Sequence, residues 1–190
     1  MKNIIQNHLI EHKDVLNKIH SLEDDIGRVA ILMINALKKG KTIFWCGNGG
    51  SASDAQHLAG ELIGRFKDDR KPLKSIALNS DSAVMTCIVN DYGYDKIFSR
   101  QILALGEEGD ILVGISTSGL SGNVNDALKV ARKKQLFTVG FLGKSGGDAA
   151  MLVDHAIVIP SQSTARIQEM HITIGHILCE LIENGLGVAR

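Results

Sequence analysis

Two short segments of the sequence combine glycines with hydroxyl side chains, a composition that suits anion binding. They are Gly47-Asn48-Gly49-Gly50-Ser51-Ala52-Ser53-Asp54 and Ser116-Thr117-Ser118-Gly119-Leu120-Ser121-Gly122-Asn123. Glycines let a ligand approach the backbone, hydroxyls donate hydrogen bonds, and each segment leads into a predicted helix whose free N–H groups favour a negative charge. Neither segment has the P-loop pattern or the GxGxxG pattern of dinucleotide folds. A single phosphate on a small polar molecule is therefore the predicted ligand.

One such segment alone is more often a turn and a helix cap than a binding site. Here the two segments follow two strands of one predicted parallel sheet. Ligands of such sheets bind beyond the carboxyl ends of the strands. The pair of segments therefore favours the binding interpretation over the structural one.

Titratable side chains with helical spacing follow the first segment and recur near the end of the chain. His57 and Glu61 are four residues apart, which places them on one helix face about 6 Å apart along the axis. Such a pair can simply stabilise a helix by a few tenths of a kcal/mol, or it can move protons. The second group lies on the predicted last helix: Arg166, Gln168, Glu169, His171 and His176.

The spacing of Gln168 and His176 predicts a homo-oligomer. Eight residues separate them, about 12 Å along a helix, and side chains on one helix lean the same way. One copy of the helix cannot easily bring both groups to one atom. We therefore expect a site shared between subunits, with an inactive monomer, and we leave open which subunit supplies each residue.

Alternating apolar runs and helical patterns define the elements that must position these residues. The predicted strands are nearly continuous apolar runs, typical of strands covered on both faces; they span 42–46, 75–78, 111–115, 137–142 and, more weakly, 156–159. Helices are predicted at 54–65, 82–89, 122–134, 148–152 and 165–184. This order predicts an α/β fold: a five-stranded parallel sheet flanked by helices, in a flavodoxin-like three-layer arrangement.

Two further helices are predicted before the first strand. A capping-box pattern at Ser21-Leu22-Glu23-Asp24 predicts the start of the second one, and Gly40 predicts its end. With 190 residues, the chain has the size of one domain. We therefore expect a single domain over 1–190, with an N-terminal helical extension at about 1–40 and a long C-terminal helix.

Composition excludes several classes of partner. Twenty-one Lys and Arg balance 21 Asp and Glu, whereas nucleic-acid binders usually carry a basic excess, so no nucleic acid is expected. The sequence contains neither a signal-peptide pattern nor a run of about 20 apolar residues, so no membrane partner is expected. Cys46, Cys87 and Cys179 are odd in number and far apart, which predicts buried free thiols. A cytoplasmic location is the resulting expectation.

In these motifs the sequence resembles the phosphoheptose isomerases of the sugar isomerase (SIS) superfamily. The resemblance covers nearly the whole chain and includes both glycine segments, the pair His57 and Glu61, the run Asn90-Asp91-Tyr92-Gly93, and Arg166-Ile167-Gln168-Glu169 with His171 and His176. The family's fold agrees with the fold predicted above. The motifs occur together and in order, which makes the resemblance specific.

The resemblance implies a role for each matching residue. Glu61 and His176 would be the acid–base pair. The sugar phosphate would be bound by Asn48, Gly49, Gly50, Ser51, Glu61, Asn90, Asp91, Ser116, Thr117, Ser118, Ser121 and Gln168. One zinc ion per subunit would be held by His57, Glu61, Gln168 and His176. The family's usual assembly, a homotetramer with sites between subunits, is expected as well.

The function implied is an aldose–ketose isomerase that converts D-sedoheptulose 7-phosphate to D-glycero-D-manno-heptose 7-phosphate through an enediol or enediolate. That reaction is the first step of heptose synthesis for surface polysaccharide. Two alternatives stay open at this point. One is a non-catalytic SIS protein that binds a sugar phosphate or regulates a partner, similar to a relative that associates with the replication initiator and lacks the last-helix histidine, which is His176 here. The other is an isomerase of another sugar phosphate.

Overall fold

Seven α-helices and five strands make up the computed structural model, which describes residues 1–187. The helices are α1 (Lys2–Lys18), α2 (Glu23–Lys38), α3 (Gly50–Ile63), α4 (Ser82–Tyr92), α5 (Ser99–Leu105), α6 (Gly122–Lys133) and α7 (Thr164–Gly185). The strands are β1 (Ile43–Gly47), β2 (Ser75–Ala77), β3 (Ile111–Ser116), β4 (Phe137–Gly143) and β5 (His155–Ile159). Short 3₁₀ turns occur at Ile19–Leu22, Tyr94–Lys96 and Asp148–Met151.

The five strands form one parallel sheet in the order β2-β1-β3-β4-β5. Trp45 of β1 pairs with Val113 of β3, which in turn pairs with Val139 of β4. The predicted five-stranded parallel sheet is confirmed. β1 and β3 are neighbours although β2 lies between them in the chain, so the strand order reverses there. Such a reversal opens a crevice at the carboxyl ends of the two strands, where ligands bind in folds of this class.

Alternate residues of each strand pack into two separate cores, one on each face of the sheet. Ile43 and Trp45 of β1 face a core shared with α2, α3 and α7. Phe44 and Cys46 face a core shared with α4, α5 and α6. Burial on both faces explains why the strands are continuous apolar runs. The three layers agree with the predicted flavodoxin-like arrangement.

Two predictions about helices need correction, and one further helix has no counterpart among the predicted ones. The capping box before α2 is wrong: the 3₁₀ turn Ile19–Leu22 continues α1 directly into α2, and Ser21 Oγ donates backwards to the Lys18 carbonyl at 2.8 Å. Helix α3 begins at Gly50 rather than at residue 54. Helix α5 was not predicted, because its seven residues are too few to show a clear helical period.

The structure bears on two further predictions, one about a membrane partner and one about the cysteines. None of the helices in the stretch 1–187 combines the length and the apolar character that crossing a membrane requires. The three cysteines are free thiols, with Cys46 and Cys179 buried. Cys87 is exposed on α4, so the prediction that it is buried is wrong.

Candidate active site

The first glycine segment is a tight turn that delivers the chain from β1 into α3. A side chain on Gly47 would collide with Ser51, whose Cβ would lie 2.8 Å from the added carbon. Gly49 precedes the helix with φ of +58°, a left-handed conformation that favours glycine. The backbone N–H groups of the first turn of α3 therefore lie at the crevice between β1 and β3.

The second segment connects β3 to α6 and is held in shape by its own hydroxyls. Ser116 Oγ lies 3.0 Å from Ser121 Oγ and accepts a hydrogen bond from the Gly119 N–H at 3.1 Å. The Leu120 N–H donates to Ser118 Oγ at 3.2 Å. Gly119 has φ of +67°, and its backbone is pressed against the Gly146 carbonyl, which leaves no room for a side chain. Ser116, Thr117, Ser118 and Ser121 thus surround the amino-terminal end of α6.

An amide pair joins the two segments across the crevice. Asn48 and Asn123 exchange reciprocal side-chain hydrogen bonds of 2.9 Å, and the Tyr94 hydroxyl donates to Asn48 Oδ1 at 2.9 Å. The resemblance gave no role to Asn123 or Tyr94, and no local spacing indicates that they meet Asn48. Asn90 and Asp91 lie in the exposed last turn of α4, and Asn90 Nδ2 donates to Asp91 Oδ1 at 2.8 Å.

A second group of side chains forms between α3 and α7. His57 Nε2 lies 3.0 Å from Glu61 Oε1 and 3.2 Å from His176 Nε2. One ligand atom from each of these residues lies within 4.8 Å of the others. The Phe66 ring stacks on the His176 imidazole, with centroids 5.4 Å apart and planes inclined by 24°. These three titratable residues are half-buried or exposed, so a substrate can reach them.

The close parallel packing of α3 and α7 brings His57 and His176 together. Both helices follow a strand of the same parallel sheet and cover the same face, so they run in the same direction. Gly175 permits the close approach, since a Cβ there would lie 2.5 Å from Leu58 Cδ2. His171 fixes α7 to the sheet through a 2.9 Å contact between its Nε2 and the Leu142 carbonyl. Burial lowers the pKa of His171 to about 4, only partly opposed by that bond, so the ring is neutral and donates.

Gln168 does not join this group within one chain. Its side-chain amide occupies the space beside Gly50, at the amino-terminal end of α3. Gln168 and His176 therefore stay apart, as their spacing on the helix predicts. Glu61 and His176, by contrast, meet within one chain, so this pair does not require residues from two subunits.

Asp54 lies one turn before His57 on α3 and has an unusual environment. In the part of the chain that the structure describes, its Oδ2 is buried without a hydrogen-bond partner. Burial raises the pKa of this carboxyl to about 6, although the neighbouring His57 charge opposes the shift. The motif includes Asp54, but its sequence position alone does not reveal the burial.

The donor set of His57, Glu61 and His176 fits a metal ion. Two imidazole nitrogens and one carboxylate oxygen at this separation form a three-ligand set of the kind that leaves a coordination position for a substrate or water. The three residues come from two helices that are fixed to the same core. These residues could therefore hold a divalent metal.

The fold and the paired glycine segments are those of a sugar isomerase domain: the SIS domain family model matches residues 7–143. The chain is 52% identical over 180 residues to the phosphoheptose isomerase of a Nitratiruptor species, covering 94% of this chain and 96% of that protein. It is 48% identical to the phosphoheptose isomerase of Campylobacter jejuni serotype O:6, covering 97% and 100%. The solved phosphoheptose isomerase of Neisseria gonorrhoeae superposes with a TM-score of 0.92 at 38% identity, covering 96% and 98%. The chain therefore belongs to the phosphoheptose isomerase family of SIS-domain proteins.

Proposed function

We propose that this protein is an aldose–ketose isomerase that converts D-sedoheptulose 7-phosphate to D-glycero-D-manno-heptose 7-phosphate. The observation that carries the proposal is the meeting of His57 and Glu61, on the helix that leaves the first glycine segment, with His176 of α7. A non-catalytic sugar-phosphate sensor is not favoured, because it has no need of this titratable group. We place the reaction in the cytoplasm, at the entry to heptose synthesis for surface polysaccharide.

The proposed binding of substrate uses both glycine segments. The phosphate lies at the amino-terminal ends of α3 and α6, where N–H groups and hydroxyls converge. The substrate ligands are those that the resemblance implies: Asn48, Gly49, Gly50, Ser51, Glu61, Asn90, Asp91, Ser116, Thr117, Ser118, Ser121 and Gln168. Hydrogen bonds to a charged group contribute roughly 1.5–3 kcal/mol each, enough to anchor a small polar ligand.

The proposed chemistry is proton transfer by Glu61 and His176. Glu61 removes a proton from C1 of the ketose, beside the C2 carbonyl, and returns a proton to C2. His176 moves protons between O1 and O2, a role that suits imidazole because it gives and takes protons near neutral pH. General acid–base catalysis of this type contributes roughly 10²–10⁴-fold to a rate.

We propose zinc, one per subunit, as the metal for this site. His57, Glu61 and His176 would hold it, with Gln168 from a neighbouring copy as the fourth ligand, since Gln168 of the same chain lies beside Gly50. A metal bound there supplies Lewis acidity toward the carbonyl. The metal-ligand role and the base role compete for the same Glu61 carboxylate, so in this proposal the metal site would be altered when substrate binds.

We also propose a homotetramer whose active sites lie between subunits. Along α3, Glu61 lies about 16 Å from Gly50, a longer distance than a seven-carbon sugar phosphate needs to span. The two glycine segments, 47–54 and 116–123, are called the anion segments below, and His57, Glu61 and His176 the titratable group. The anion segments of one subunit would therefore bind the substrate on which the titratable group of another subunit acts. The exposed apolar residues Ile4, Ile5, Leu9 and Ile10 on α1 are available for subunit contacts.

We also propose that the whole chain, 1–190, is one SIS domain. The packing of α2 on the core of α3 and α7 supports this proposal.

NMR observation of sedoheptulose 7-phosphate incubated with the purified protein tests the function. New aldose resonances that grow with enzyme concentration are the expected result. Their absence with sedoheptulose 7-phosphate, together with turnover of a shorter ketose phosphate, would establish an isomerase of another sugar phosphate. Absence of turnover with every ketose phosphate would contradict the isomerase proposal itself.

Mixing two variants that are impaired in different ways, assayed at a substrate concentration far below saturation, tests the shared site. A Glu61→Gln chain has intact anion segments, and a chain with Ser116→Ala and Ser118→Ala has an intact titratable group. If sites form between subunits, mixed oligomers regain some intact sites and part of the activity returns. Mixing Glu61→Gln with His176→Ala is the matched control, which should restore nothing because that pair lies within one chain. No recovery in the first mixture, under conditions shown to exchange subunits, would place the site within one subunit.

A further inference from the structure

A buried ion pair lies directly behind the titratable group. Arg70 Nε donates to Glu183 Oε1 at 2.8 Å, and the side chains are 0% and 1% exposed. Arg70 lies in the segment after α3, and Glu183 lies near the end of α7. Replacing a buried ion pair with apolar residues is often neutral for stability, so the pair alone is weak evidence of a stabilising role. What the pair holds in place is more informative.

Arg70 binds the backbone of the catalytic helix at the residue that carries the carboxylate. Its Nη2 donates to the Glu61 carbonyl at 2.7 Å, and its Nη1 donates to the Leu62 carbonyl at 2.9 Å. These carbonyls belong to the last turn of α3, where helix carbonyls have no partners within the helix. A guanidinium has five N–H donors in a rigid planar fork, so one side chain can reach both carbonyls and Glu183. Arg70 therefore fixes the end of α3 relative to α7.

Glu183 holds the segment that carries the aromatic neighbour of His176. Its carboxylate accepts hydrogen bonds from the backbone N–H groups of Phe66 and Lys67 at 3.1 Å and of Asp68 at 3.3 Å. Burial raises the pKa of this carboxyl, but these bonds and Arg70 outweigh burial, and the net shift is downward, so the carboxylate is ionised. The Phe66 backbone is thereby fixed, and its ring stacks on His176.

We propose that Arg70 and Glu183 are positioning residues for the reaction: together they fix Glu61 through its backbone carbonyl and His176 through the Phe66 ring. We call these three residues, Arg70, Glu183 and Phe66, the clamp. The role rests on the proposed isomerase function. Neither charged group touches the carboxylate or the imidazole, so both act through other residues. A displacement of about 1 Å at a reacting group can lower a rate about 100-fold, which makes such positioning significant.

Two variants loosen the clamp in different ways. Arg70→Lys keeps a positive charge for Glu183 but loses the fork that reaches the Glu61 and Leu62 carbonyls. Phe66→Leu leaves the buried pair intact and removes only the ring, so it decides the question even if Arg70→Lys does not fold. For each variant we expect kcat to fall about 10- to 100-fold while KM changes less than about threefold, since the anion segments are untouched.

Glu180→Gln is the matched control. Glu180 lies one turn before Glu183 on α7 and pairs with Lys67 at 2.8 Å, but these side chains are 47% and 55% exposed. Exposed pairs of this kind contribute little to stability. The control should leave kcat and KM within about twofold of the wild-type values.

The imidazole resonances of His176, assigned by their loss in His176→Gln, separate positioning from general destabilisation. A ring stacked on an imidazole shifts its resonances upfield, so we expect an upfield shift from Phe66 in the wild-type protein. Both clamp variants should reduce this shift at temperatures where they remain folded, and Glu180→Gln should not. An unchanged His176 shift, or an unchanged kcat, in Phe66→Leu or in folded Arg70→Lys would overturn the proposal. The spectra need no substrate, so a wild-type protein without isomerase activity would contradict the proposed function while the His176 shifts still decide whether the clamp exists.

Discussion

The two ends of α3 carry different kinds of chemical groups. At the amino-terminal end, glycines, hydroxyls and backbone N–H groups surround the crevice between β1 and β3. At the carboxyl-terminal end, His57, Glu61 and His176 meet in front of a buried ion pair. The first end can hold an anion but has few groups that exchange protons near neutral pH. The second has such groups but lacks glycine turns. In the proposed function, binding and proton transfer are therefore separated along one helix.

The two ends of α3 also differ in how well they can be predicted from the sequence. The anion segments are local: glycine, serine and threonine stand next to one another, and the strands before them are apolar runs. The titratable group depends on distant contacts, since 119 positions separate His57 from His176. Helical spacing pairs His57 with Glu61, whereas His176 joins them in the sequence only through the family resemblance, and in the structure through the parallel packing of α3 on α7.

Substitution of Glu61 should produce the largest effect and should affect only one end. Glu61→Gln keeps the size of the side chain and removes the base, so kcat should fall about 10²–10⁴-fold. Binding of a non-reacting sugar phosphate, measured by calorimetric titration, should stay within about threefold of the wild-type value. A variant that retains more than about a tenth of the wild-type kcat would show that Glu61 is not the general base.

Loss of the hydroxyls at the other end should have the opposite pattern. Ser116→Ala with Ser118→Ala removes two groups that could bind the phosphate, and each such bond contributes roughly 1.5–3 kcal/mol. We expect the dissociation constant of the same sugar phosphate to rise at least about 100-fold, since two such bonds together contribute roughly 3 kcal/mol or more. Ser145→Ala is a suitable control, because Ser145 lies outside the two anion segments. An unchanged dissociation constant in the double variant would move the phosphate site elsewhere.

The contact between α3 and α7, midway between the two ends of α3, should affect stability through smaller changes of side-chain volume. A methyl group on Gly175 meets Leu58 of α3 at 2.5 Å, so Gly175→Ala should lower the free energy of unfolding by about 1–3 kcal/mol. Gly60→Ala, on α3, adds the same methyl group in open space and should raise it by about 0.5–1 kcal/mol. Chemical denaturation measures both. Equal changes in the free energy of unfolding of the two variants would show that α3 and α7 are not tightly packed at Gly175.

Local chemistry accounts for what could be predicted and for what could not. The strands follow from apolar runs, and each predicted strand overlaps an observed one. The start of α3 is not predicted because Gly50 and Ser51 carry no apolar period. Arg70 and Glu183 are isolated charges in the sequence, and their pairing depends on the end of α7 reaching the segment after α3. The contacts of Tyr94 and Asn123 with Asn48 likewise depend on three connections of the sheet converging at one edge.

In the proposed reaction, the Glu61 end of α3 performs a proton transfer on a substrate held by the anion segments. The most direct test is the reaction of sedoheptulose 7-phosphate in deuterium oxide, followed by NMR of the aldose product. The Glu61 side chain is 24% exposed, so a proton that it has accepted can exchange with solvent before it is returned. We expect deuterium at C2 of the aldose formed by the wild-type protein, and neither product nor exchange above background with Glu61→Gln. An aldose that carries only protium at C2, as an intramolecular hydride shift would give, would contradict it.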